Sequence, residues 1–184
     1  AGPGPVWINE ILSNPGGTDE PHEYIELRGT ANSTIAANTY LLGIEGDTGA
    51  ACGDVQTIFD LSGKTFGSNG FMLFRMGGNS YSVNPSAASF VGSTANSFGG
   101  IAGFSADAPG VGIENPSVTF MIITVNGGGT TPTLTTDIDA NNDGQPDTAY
   151  ATWTVQDSIG ISDGGATDCF YGQINFFTAA ASAN

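Results

Sequence analysis

Basic residues are almost missing from this chain: Arg28, Lys64 and Arg75 are the whole set, against 18 acids. The formal charge of -15 argues against a surface built to grip a nucleic-acid backbone, which is held through lysine and arginine. Cations are the natural partners of such a chain. Charged residues of both signs reach only 11%, well under the usual quarter or so, so Ser, Thr, Asn and Gly must carry the surface. The single histidine, His22, and two distant cysteines leave no zinc ligand set. No apolar run approaches the roughly 18 residues of a membrane helix, and membrane insertion is not expected. A long amphipathic helix is missing too, because 28 glycines and 9 prolines punctuate the chain at short intervals.

What is present is enough apolar material, 39% hydrophobic and 10% aromatic, for one core and a single domain over 1–184. Short segments of β-branched and aromatic residues between turn signals predict an all-β fold. Nine strands are expected: 6–12, 23–28, 40–44, 57–61, 71–76, 118–125, 149–155, 157–161 and 173–177. In the segment from Glu23 to Arg28 the two glutamates are expected to share a face near a sheet edge. Phe71 to Met76 is apolar on nearly both faces and reads as central. Nine short strands predict an antiparallel β-sandwich. A long loop insertion, about 77–115, interrupts it with Gly, Ser, Ala and Asn, with a short strand near 89–91 as one reading.

Cys52 and Cys169 are too far apart for a CxxC pair and the right number for one bridge. A disulfide is expected, and with it a secreted, extracellular or cell-surface protein. Two buried free thiols are the alternative. The start at Ala1, with no leader-like segment, fits a mature chain after signal cleavage.

The sharpest local signal is the run from Asp137 to Asp147, in which oxygen side chains recur at alternate positions before Gly144 turns the chain. Calcium takes six to eight oxygens, about 2.3 to 2.6 Å away, and this spacing wraps them around one ion. With Asp139 as position one, Asn141, Asp143 and Asp147 fall on positions three, five and nine, and Gln145 offers its carbonyl at seven. Position twelve is Tyr150 rather than glutamate, and no helical pattern flanks the loop, so this is not a helix-loop-helix calcium hand. The pattern resembles the DxDxDGxxD loops of thrombospondin type 3 repeats, with Asp137 as an extra ligand. An empty Asx-rich turn is the alternative.

A second resemblance spans more of the chain. The segments Val6-Trp7-Ile8-Asn9-Glu10-Ile11, Asn14-Pro15-Gly16 and Glu23-Tyr24-Ile25-Glu26-Leu27 are similar to the opening of the lamin-tail domain family. Phe59 to Gly63, Gly70 to Phe74, Trp153 to Gly160, Asp163 to Gly165 and Tyr171-Gly172 resemble later parts of it, in its bacterial secreted branch. The resemblance implies an immunoglobulin-like sandwich and a binding or scaffolding role. The insertion and the calcium-type loop depart from the minimal domain.

Catalytic constellations are thin. Glu10, Glu23 and Glu26 read as paired carboxylates, as further calcium ligands, or as strand-end groups partnered by Arg28. His22 follows a proline in a polar turn, no GxSxG elbow accompanies it, and Asp157 is the remaining candidate acid. The chain is therefore read as no enzyme. The first expectation is a calcium-stabilised structural subunit of a filament, sheath or matrix, joined to copies of itself through edge strands or its apolar termini. The alternative is a carbohydrate- or surface-ligand-binding module using the insertion with Trp7, Trp153 or a tyrosine as a stacking platform. Asn32, in Asn32-Ser33-Thr34, is a possible glycosylation site.

Overall fold

The computed structural model describes residues 4–15, 21–47, 52–78, 81–92, 113 and 117–177. Most of the expected insertion lies outside these residues, as do positions 1–3 and 178–184 of the terminal segments expected to join copies. Nine strands form in order: β1 (Trp7–Leu12), β2 (Tyr24–Arg28), β3 (Thr39–Glu45), β4 (Val55–Asp60), β5 (Phe71–Met76), β6 (Ala88–Gly92), β7 (Val118–Val125), β8 (Trp153–Ile161) and β9 (Ile174–Phe176), with a 3-10 turn over Thr148–Thr152. They make two sheets, β1-β2-β5-β6 and β4-β3-β7-β8-β9, packed into the expected all-β sandwich.

The sheets are mixed rather than purely antiparallel. β6 adds to β5, and β9 to β8, in parallel, because each follows a crossover instead of a hairpin. The segments expected as separate strands over 149–155 and 157–161 are one strand, β8, entered through the 3-10 turn. A bulge at Gln156 interrupts its alternation, which is why the pattern reads as broken.

Between the sheets Ile25, Leu27, Leu41, Phe59, Met72, Phe74, Phe120 and Ile122 form the main core. The β4-β3-β7-β8-β9 sheet is covered on its other face as well. There Leu42, Ile44, Ile58, Met121, Ile123, Ile138, Trp153 and Tyr171 pack together, with Leu134, Ala149 and Tyr150 against them. Double burial explains why β3 and β7 are apolar on both faces. Trp153 belongs to this layer: its indole donates to the Thr130 carbonyl at 2.6 Å, so it offers no stacking platform.

The sheet facing it is one-sided. In β2, Ile25 and Leu27 point to the core while Tyr24, Glu26 and Arg28 point outward. Glu23 and Glu26 do not share a face, since residues three apart on a two-residue period take opposite sides. Glu23 is fully buried and accepts the Ile113 amide at 2.7 Å. β1 is stitched to the opposite sheet by side chains near the β8 bulge: Ile8 N–H donates to Asp157 Oδ2 at 2.7 Å and Val6 N–H to Gln156 at 3.3 Å.

Candidate metal centre

Three loops meet at one corner of the doubly covered sheet, and the reason is covalent. Cys52 and Cys169 are bonded, their Cα atoms 6.1 Å apart. This ties the turn after β3 to the segment after β8. Backbone bonds follow the bridge: Cys169 N–H donates to Gly46 O at 2.8 Å, Gly46 N–H to Ser117 O at 2.8 Å, and Gly53 N–H to Glu45 O at 3.0 Å. The approach is close enough that a side chain at Gly46 would lie 2.7 Å from the carbonyl oxygens of both Cys169 and Ser117.

The acid-rich loop is pinned to the same corner. Ile138 is buried in the outer apolar layer, and its amide donates to Gly53 O at 3.0 Å. Gly53 holds a φ of 94°, and a Cβ there would strike Asp139 at 2.8 Å. Ile138 therefore plants the loop while its acidic neighbours face the turn.

Within the loop the oxygens accept amides a few residues on. Asp137 Oδ1 takes the Asp139 N–H at 2.8 Å, and Asp143 Oδ1 takes the Gln145 N–H at 2.9 Å. Asn141 Oδ1 takes the Asp143 N–H at 3.2 Å, while its amide group donates to Asp143 Oδ2 at 3.1 Å. Asn142 and Gly144 turn the chain with φ of 53° and 79°. Asp139 is buried and most heavily used: Oδ1 accepts from Asp143 N–H at 3.1 Å, and Oδ2 from Gly144 N–H and the Tyr171 hydroxyl, both at 2.8 Å. Asp147 differs from the rest. It precedes the 3-10 turn without capping it, and its Oδ1 is buried with no hydrogen-bond partner. The acids of this loop do not bring any three carboxylate oxygens within 4.8 Å of one another, so the loop as folded holds its oxygens on its own amides and not around a common centre.

A carboxylate group that sequence reasoning missed lies beside it. Oxygens of Asp47, Asp163 and Asp168 lie within 4.8 Å of one another; no other acidic or histidine-cysteine trio gathers so closely among the described residues. Ser117 Oγ donates to Asp168 and to Asp163. Burial pushes the Asp47 carboxyl up from the ordinary carboxylate value, the charges of Asp163 and Asp168 push the same way, and the Ser117 amide opposes them. The signal for this trio was the cysteine pair itself, since Asp168 adjoins Cys169 and Asp47 lies shortly before Cys52. A cleft of about 370 Å³ opens between the two acidic groups, bordered by Asp143, Gln145, Asp168 and Phe170.

The other candidate groups have structural partners. Glu10 accepts the Tyr24 hydroxyl at 2.6 Å, Glu26 accepts the Asn9 amide at 2.8 Å, and Asp157 holds the backbone of β1. His22 lies edge-on to Tyr81, ring centroids 6.0 Å apart. Arg28 is the ladder partner of Trp7, and it makes no ion pair with either glutamate among the described residues. Asn32 is exposed in a tight turn with φ of 59°. Compared with models of known protein families and with curated proteins, the chain gives no match.

Proposed function

We propose that this chain is a non-enzymatic extracellular structural module, a calcium-stabilised subunit of a surface filament, sheath or matrix on a lamin-tail-like sandwich. One observation carries the reading: four of the six large exposed apolar side chains among the described residues lie on edge strands. Trp7 on β1 is 45% exposed, Val91 on β6 52%, and Ile174 and Phe176 on β9 63% and 59%. Edge strands are usually defended by lysine, proline or charge, whereas β6 and β9 contain no proline or charged residue and β1 has Glu10 alone. Between β1 and β9 a groove of about 240 Å³ is lined by Ile8, four further isoleucines and Phe176, with Asn9, Glu10, Asp157 and Ser158 supplying its polar part. An added strand from a second copy would satisfy open backbone groups and cover these side chains together.

The disulfide supports an oxidising environment, and among the described residues no helix is long and apolar enough to cross a membrane. Calcium is proposed for the loop of Asp137, Asp139, Asn141, Asp143, Gln145 and Asp147; the unpartnered buried oxygen of Asp147 supports it, and binding would have to draw the loop's acids together. Electron microscopy and light scattering of the calcium-loaded chain test the assembly. Ordered fibres or sheets that disperse in Ile174→Lys/Phe176→Lys are expected, and a monomer at every concentration would overturn it.

A second reading, a carbohydrate-binding module, is favoured by a groove lined by Tyr24 and Tyr81 on the outer face of the β1-β2-β5-β6 sheet.

A further inference from the structure

That groove, of about 460 Å³, lies where the segment 81–87 passes over the outer face of β1, β2 and β5. Its volume is in the range of small-ligand sites. Three kinds of group converge on it. The rings of Tyr24 and Tyr81 meet edge to face, centroids 5.5 Å apart. Glu10 and Glu26 are direct ladder partners, and neither makes an ion pair among the described residues. Asn69 and Asn84 spend their carbonyl oxygens on the Phe71 and Ser86 amides, at 3.1 and 2.9 Å, leaving their NH2 groups as donors.

Like charges directly opposite on a ladder repel, and each glutamate retains one oxygen, Oε2, with no hydrogen bond from the described residues. A cation between them would offset the repulsion, and one over a tyrosine face gains further attraction. Arg75, the cation of β5, donates Nε to Ser89 Oγ at 3.3 Å and makes no ion pair with Glu10 or Glu26 among the described residues. A bare metal ion makes poor use of two aromatic rings and two amide donors. A simple alkylammonium would leave the amides idle.

We propose that the groove binds an unacetylated amino sugar of the glucosamine type, its ammonium group held by Glu10 and Glu26 and its C–H face against Tyr24 or Tyr81. The amide donors of Asn69 and Asn84 then meet ring hydroxyls. This assignment rests on the second reading above and is independent of assembly.

The test is calorimetric titration of the full chain with a β-linked glucosamine tetramer, the matching N-acetylglucosamine tetramer, and butylammonium. The expected result is a clear preference for the glucosamine tetramer that weakens as salt is raised. Glu10→Gln and Glu26→Gln should each reduce its affinity about fivefold or more. Tyr81→Ala should do the same in a chain that still melts cooperatively, which guards against loss of fold. Equal binding of both tetramers, indifferent to the glutamine variants, would overturn the amino-sugar assignment and leave the carbohydrate reading standing. Butylammonium bound as tightly as the tetramer would overturn the sugar. No binding of any probe by the folded chain would remove both.

Discussion

The hydroxyl of Tyr171 donates to Oδ2 of Asp139 at 2.8 Å, joining the segment after β8 to the acid-rich loop inside the buried corner. Removing the donor leaves a buried carboxylate oxygen with only the Gly144 amide. Tyr171→Phe should therefore lower stability by about 1.5 to 3 kcal/mol, the range for hydrogen bonds to charged groups. Urea denaturation reads it directly, and an unchanged midpoint would show the contact to be energetically idle.

The bridge between Cys52 and Cys169 closes a sequence separation of 117. On the chain-entropy account such a loop contributes roughly 4 to 5 kcal/mol. Reduction, or Cys52→Ala with Cys169→Ala, should lower the melting temperature strongly, and a free-thiol assay on the untreated chain should find none.

Chelation is expected to lower the melting temperature, and added calcium to restore it, by mass action on the folded state. Asp147→Asn should weaken that response. A melt indifferent to both chelator and calcium would remove the ion from the account.

Three phenols should resist alkali. Burial, then the hydrogen bond to Glu10, holds Tyr24 above the ordinary value of 10.0. Burial, then the bond to Asp139, raises Tyr171; burial and the charge of Asp60 raise Tyr40. The folded chain thus keeps protons that the unfolded chain releases. The stability these groups contribute is complete below pH 10 or so and is lost as pH rises through the shifted values. A tyrosinate absorbance titration should show late ionisation that coincides with alkaline unfolding, reduced in Tyr24→Phe.

Phe74 is fully buried between Phe59 and Phe90, at ring distances of 5.3 and 5.2 Å. Phe74→Ala should cost about 3 to 5 kcal/mol, with thermal or denaturant unfolding as the check.

The strands that declared themselves are those whose burial matches their composition. β7 is β-branched and aromatic at every position but Met121 because both of its faces are covered, and β2 alternates because one of its faces is not. β8 hid its unity because the bulge at Gln156 breaks a period of two. In the loop at Asp137 to Asp147 the spacing announced a turn rich in side-chain oxygens, and those oxygens bond to the loop's own amides, the geometry of an Asx-rich turn. The trio of Asp47, Asp163 and Asp168 was not legible, because chain crossing rather than spacing brings it together. Trp153 looked like an available aromatic and is a core residue, since nothing local in the sequence reports the 126–152 segment that covers it.

The bonds from Ile8 and Val6 to Asp157 and Gln156 join positions 149 and 150 residues apart. Closing such a span is slow compared with pairing neighbours. β1 must therefore wait for β8 before its flank is sealed, and during that interval its apolar edge is open. If copies join as proposed above, a late-closing flank of this kind gives the chain two competing ways to finish folding, by itself or on another molecule, and crowding would tip the choice.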